Sequence, residues 1–117
     1  MAEPDIKTLG YRIYDAFNAR DIAAAEELFA PDFISHAPGT VGGLRESLTR
    51  LFTKYPDFHV VVEDLLVEGD KFALRMTVHG IPRVPGRSQP TMMEFFRTEN
   101  GRVVEVWGAG SGFVERP

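Results

Sequence analysis

The stretch that most limits how this chain can fold is Thr91-Met92-Met93-Glu94-Phe95-Phe96-Arg97-Thr98-Glu99-Asn100-Gly101, followed by Arg102-Val103-Val104-Glu105-Val106-Trp107. Asn-Gly between two such runs predicts a two-residue type I′ hairpin, because that turn needs positive φ at both central residues. With Asn100 and Gly101 as the loop, Glu99 faces Arg102 and Thr98 faces Val103. Read outward without a bulge, Phe96 falls opposite Glu105, Glu94 opposite Trp107 and Met92 opposite Ala109. Side chains alternate faces along a strand. Met92, Glu94, Phe96, Glu105 and Trp107 then share one face, and Met93, Phe95, Val104 and Val106 share the other with Arg97. Both faces carry large apolar groups, so both are expected to be covered. Glu94, set among Met, Phe and Trp, is costly to keep charged unless it is paired.

With 117 residues the chain fits a single domain, 1–117, with room for a real core. The formal net charge is −4 and no run of Lys or Arg occurs, which argues against nucleic acid or an anionic membrane as partner. There is no Cys, which excludes disulfides, thiolate metal sites and Cys nucleophiles. The N-terminal stretch is acidic and lacks the apolar core of a secretory signal, and no run is long enough to span a bilayer. A cytoplasmic location is the expectation.

Along the chain, Asp5 can cap a helix to about Asn18, with Ile6, Leu9, Ile13 and Phe17 as its apolar stripe and Tyr14 on the flank. Asp21 can cap a second helix through Ile22, Ala25, Leu28 and Phe29, ended by Pro31. Phe33 to His36 reads as a short extended piece closed by Ala37-Pro38-Gly39. A third helix carries Leu44, Leu48, Leu51, Phe52 and Tyr55, and Pro56 stops it. The period then changes to two. Phe58 to Val67 is a strand, with Phe58, Val60, Val62 and Leu66 on one face and His59, Val61, Leu65 and Val67 on the other. After the turn Glu68-Gly69-Asp70, Lys71 to Gly80 is the next strand. Ile81 to Pro90, with three prolines, Arg83 and Arg87, reads as a mobile loop that could act as a lid. Gly108 to Pro117 is a Gly-rich exit. This order predicts an α+β fold with the helices on one sheet face.

Several segments carry a resemblance. They are Tyr14-Asp15-Ala16-Phe17-Asn18-Ala19-Arg20-Asp21, Leu28-Phe29-Ala30-Pro31-Asp32-Phe33, Tyr55-Pro56-Asp57-Phe58, Val67-Glu68-Gly69-Asp70-Lys71 and the run from Phe96 to Trp107. In this order they resemble the nuclear-transport-factor-2-like superfamily, and within it the SnoaL-like polyketide cyclase group. The resemblance implies three N-terminal helices packed in the concave face of a curved, mostly antiparallel sheet, with a conical apolar cavity between them. Dimers through the outer sheet face are common in such families. Cyclases of the group carry acids just after the tryptophan of the last long strand, where this chain has Gly108-Ala109-Gly110-Ser111. Ketosteroid-isomerase-like enzymes carry a pocket acid three residues before the Arg of the third long strand, as Glu94 stands to Arg97, and use a first-helix Tyr as donor, a place Tyr14 matches within about a residue. Their catalytic Asp precedes a Pro. Here Ala37 precedes Pro38, and His36 is one residue away.

The expected function is therefore acid–base chemistry on a small apolar carbonyl or polyketide-like compound, an isomerisation or an aldol-type cyclisation. Glu94 would be the acid or oxyanion donor, His36 the base and Tyr14 a second donor. Shared parity with Trp107 places Phe72, Leu74, Met76 and Met92 in the same cavity as Trp107, joined by Phe17 and Leu51 from the helices. No cofactor is called for, since donors alone can stabilise an enolate. His36, His59 and His79 lack metal-ligand spacing, so no metal site is expected. The competing reading is a non-catalytic ligand-binding or dimerisation module of the same fold. A homodimer is expected through the face with Val61, Leu65, Val67, Met93, Phe95, Val104 and Val106.

Overall fold

A computed structural model describes residues 5–37, 42–82, 84–86 and 89–111. The Asp5 carboxylate accepts from the Lys7 N–H and starts α1 (Ile6–Asn18). The Asp21 carboxylate accepts from the Ala24 N–H and starts α2 (Ile22–Glu27). Next come β1 (Phe29–Ser35), α3 (Leu44–Lys54), β2 (His59–Glu68), β3 (Lys71–His79), β4 (Thr91–Glu99) and β5 (Arg102–Ser111). Pro31 was expected to end the second helix. The helix stops earlier, at Glu27, and Pro31 lies inside β1. The position suits it, because β1 is an edge strand, where a missing N–H need not break the ladder.

The five strands form one sheet in the order β1-β5-β4-β3-β2. β1 runs parallel to β5, and the other pairs are antiparallel. Asn100 and Gly101 take φ of 52° and 76°, the positive values that the β4–β5 turn demands. Two bulges bend the sheet and reset its faces. In β5, Thr98 pairs with Val103 but Arg97 pairs with Glu105, so Val104 is an extra residue. In β2, Val62 pairs with Met76 and Asp64 with Arg75, so Glu63 is extra. Each insertion moves everything beyond it to the opposite face. Leu65, expected outside, is buried, and Leu66 takes its place in solvent at 72% exposure. Val106, also expected outside, is buried, and Trp107 lies outside opposite Phe95.

The concave face holds the core. Phe72 and Phe96, paired across β3 and β4, stack with centroids 4.6 Å apart. Leu74, Met76 and Val78 continue the layer, each almost wholly buried. α1 lies directly on this layer. A Cβ on Gly10 would come within 2.5 Å of Leu65 Cδ1 and 3.2 Å of the Phe72 ring, so only glycine permits that approach without repacking. Arg20 follows the end of α1 at φ 62°. Its guanidinium donates to the carbonyls of Pro56 and Phe58 and lies 4.2 Å over the Phe52 ring, tying the α1–α2 turn to the end of α3.

Asn18 binds the free edge of β2 as another strand would. Its Nδ2 donates to the Val60 carbonyl at 2.8 Å, and its Oδ1 accepts from the Val60 N–H at 2.9 Å. Asn18→Ala leaves both part-buried backbone groups without these bonds. Urea unfolding is expected to show a loss of about 2 kcal/mol, and Asn18→Asp, which keeps only the acceptor, a loss of about half that. A change within a few tenths of a kcal/mol for Asn18→Ala would show that water replaces the amide freely.

Candidate active site

Between α1, α3 and the concave face lies a cavity of about 690 Å³. α3 turns Leu44, Ser47, Leu48, Leu51 and then Tyr55 toward it. Its depths are lined by buried Phe29, Leu48, Phe58, Val60, Phe96 and Val106. Arg50, Pro82, Ala109 and Gly110 line it too but are exposed, which makes them the mouth. Ile81 and Pro82 bring the start of the β3–β4 loop to that rim. The rest of the expected lid falls in part on residues 83, 87 and 88, outside the described residues.

Two polar side chains meet in this apolar setting. Glu94, on the concave side of β4, is 9% exposed, and Tyr14, on α1, is 4% exposed. The Tyr14 hydroxyl donates to Glu94 Oε1. Burial pushes the Glu94 carboxyl up to about 7, and the bond from Tyr14 opposes that rise by favouring the charged form. Tyr14 is raised well above its ordinary range, first by burial and then by the charge and hydrogen bond of Glu94. The phenol therefore stays a donor, while the carboxyl changes state near neutral pH. Glu94 pairs across the sheet with Gly108, where a Cβ would lie 3.5 Å from Oε2 and 3.2 Å from the Ala37 Cβ. The missing side chain at Gly108 leaves room beside the carboxyl.

The other sequence-predicted residues divide. Phe17, Leu51 and Met92 line the cavity with Tyr14 and Glu94. Phe72, Leu74 and Met76 do not; they are packed in the core layer of β3, away from the cavity surface. Trp107 is a clear correction. The extra residue Val104 puts it on the convex face, edge-on to Phe95 at 6.4 Å and stacked on His36 at 5.2 Å. His36 is corrected with it. Its ring is 46% exposed, with Nε2 2.8 Å from Glu105 Oε2, and it does not line the cavity. Chain direction at the end of β1 explains this, since the inward positions there are Ser35 and Ala37. Glu105 lies on the same outer side, held below the usual carboxylate range by bonds from His36 and Arg97. Sequence reasoning missed Arg50, Tyr55 and the Gly108–Gly110 wall as parts of the site. Tyr55 was visible on the α3 stripe, and Gly108-Ala109-Gly110 was visible as a small-residue run. No group of three or more metal-ligating side chains occurs among the described residues.

An apolar cavity with one hydrogen-bonded carboxyl inside a curved sheet belongs to a fold that hosts both enzymes and binders. The family model for the SnoaL-like domain matches residues 11–106, and the chain belongs to that family. Among solved structures it is similar to IdmH from Streptomyces antibioticus, a protein assigned provisionally as a polyketide cyclase. That likeness has 26% identity, covers 89% of this chain and 90% of that one, and gives a TM-score of 0.75. A loop-truncation variant of IdmH matches at 28% identity over 92% and 93% of the two chains, with a TM-score of 0.78. A provisionally assigned ketosteroid isomerase from Kribbella flavida shares the fold at 23% identity, over 95% and 81% of the chains, with a TM-score of 0.71. No curated protein matches the chain. Among the described residues, no helix is long and apolar enough to cross a membrane.

Proposed function

We propose that the cavity binds a small apolar carbonyl compound and that Glu94 moves a proton on it, as in an isomerisation or an aldol-type cyclisation. The observation that carries this is a carboxyl at about 7, held by Tyr14, at the inner end of an apolar cavity. A group half ionised at neutral pH can both take and return a proton. In the first step the Glu94 carboxylate takes the α-hydrogen. The C–H pair becomes the carbon–carbon double bond, and the carbonyl π pair moves onto oxygen. In the second, the Glu94 carboxyl returns the proton to carbon and the carbonyl re-forms. Tyr14 holds the carboxylate in place and steadies its charge between the steps. His36, outside the cavity, has no part in this scheme, so one carboxyl serves both halves. The scheme needs no cofactor.

The test is exchange of the α-hydrogens of β-tetralone in deuterium oxide, followed by proton NMR with and without the protein. Exchange well above the buffer rate, lost in Glu94→Gln, is the expected result. No exchange above buffer would leave ligand binding without chemistry as the reading of the cavity.

The convex sheet face is read as the contact with a second copy of the chain. Leu66, Met93 and Ile34 are 72%, 60% and 54% exposed there, with Phe95 and Trp107 beside them. The charged groups between them are already paired within the chain, Arg75 with Asp64 and Arg97 with Glu99 and Glu105. An apolar face with its charges internally neutralised suits its own two-fold copy. Light scattering is expected to give about twice the 13.1 kDa chain mass at micromolar concentration, and Phe95→Lys the single-chain mass. A wild-type monomer at that concentration would overturn the reading.

A further inference from the structure

The cavity has one charged group at its inner end and one at its mouth. Glu94 is buried among apolar walls, and Arg50 on α3 is the one cation lining the cavity among the described residues. Other cations near α3 are engaged: Arg45 bonds Glu26 at 2.5 Å, Arg20 bonds three carbonyls, and Lys54 lies 5.4 Å over the Tyr55 ring. Arg50 has no ion pair or hydrogen bond among the described residues, although Glu46 lies one turn before it on the helix. The Glu46 carboxylate instead points back toward Gly42, where a Cβ would collide with it.

This arrangement constrains what can enter and which way round. An anion at the inner end would meet the Glu94 carboxyl and dry walls, at a high desolvation cost. An anion at the mouth would stay partly hydrated and meet a planar guanidinium able to bind it with two parallel hydrogen bonds. An uncharged apolar body would fill the walls between. Resting on the reading of the cavity as the site of an apolar carbonyl compound, we propose that its ligand is an amphiphile. It would carry an anionic head, carboxylate or phosphate, that binds Arg50 at the mouth, with its apolar body directed toward Tyr14 and Glu94.

Displacement of the uncharged dye N-phenylnaphthylamine tests this, with decanol, decanoate and decyl phosphate as competitors. In the wild-type protein at least one anion is expected to displace the dye at about fivefold lower concentration than decanol. The more effective anion identifies the head group. Arg50→Gln is expected to remove that advantage, so that the anions displace the dye no better than decanol does, and added salt to shrink it in the wild type. Equal potency of decanol and both anions, or an anion advantage that survives in Arg50→Gln, overturns the proposal while the cavity reading stands. Leu51→Trp, with Leu44→Trp should the first fail to fold, narrows the cavity itself. Unchanged dye binding in the folded variant would place the dye elsewhere, and the cavity reading would fall together with this proposal.

Discussion

Glu94→Gln is expected to lower proton exchange at a bound ketone by roughly a hundredfold or more while the fold persists. Glutamine keeps the shape and can still bond Tyr14, but it cannot take up a proton. The same variant has a second signature that needs no ligand. The folded carboxyl titrates at about 7 against an ordinary 4.5. Between these values the native state holds a proton that the unfolded chain has lost, so stability falls as pH rises. The contribution is fully present below about pH 4.5 and gone above about pH 7. Its size is on the order of 3 kcal/mol, with part of the burial cost offset by Tyr14. Glutamine has no such dependence. The stability of Glu94→Gln relative to wild type should therefore climb across that window, read as urea midpoints at a series of pH values. Carbon NMR of the labelled Glu94 carboxyl should show a midpoint near 7, and Tyr14→Phe should move it higher, since the bond from Tyr14 is what lowers it. A midpoint in the ordinary carboxylate range would remove the basis for a proton carrier.

Gly80→Ala should cost about 3 kcal/mol or more and lower Tm by roughly 10 °C or more. Gly80 ends the run of β3 at φ 81°, a conformation that L side chains rarely adopt. Its missing Cβ would also lie 2.1 Å from the Asp57 carbonyl oxygen and 2.6 Å from the Phe58 nitrogen. These are backbone atoms and cannot turn aside as a side chain would. Gly69 supplies the internal comparison, with φ of 60° and no atom within 4 Å of the place a methyl would occupy. Gly69→Ala should cost only the backbone strain, about 1 kcal/mol. Calorimetry on both variants separates strain from collision, and equal losses would show that the α3–β2 connection yields at no cost.

Much of the fold could be read locally. The Asp5 and Asp21 caps, the helical stripes of α1 and α3 and the change to period two after Pro56 all appear where expected. So does the Asn100-Gly101 turn, because its cause is the backbone preference of those two residues. Glu94 could be singled out for the same kind of reason: it sits on the apolar side of β4 with Met92 and Phe96, and parity within one strand needs no partner.

Parity across strands failed wherever a bulge intervened. Val104 and Glu63 look like ordinary strand residues, and nothing within their own segments marks them as extra. β5 must meet β4 on one side and β1 on the other, and its pairing with β1 is irregular as well between Phe29 and Ile34. The bulge belongs to that three-strand arrangement, and one residue of slip sent Trp107 out and Val106 in. His36 left the site for a related reason: alternation at the end of β1 turns Ser35 and Ala37 inward and His36 out, against Trp107. The Tyr14–Glu94 contact joins residues 80 positions apart, and only the seating of α1 on Leu65 and Phe72 brings them together. What the sequence determined by itself was therefore the elements, the turn and the unusual carboxylate, because these follow from propensity and period within a few residues. What only the tertiary structure decided was which face each strand presents and which side chains meet in the cavity, because strand register and helix seating are settled by packing across the whole sheet.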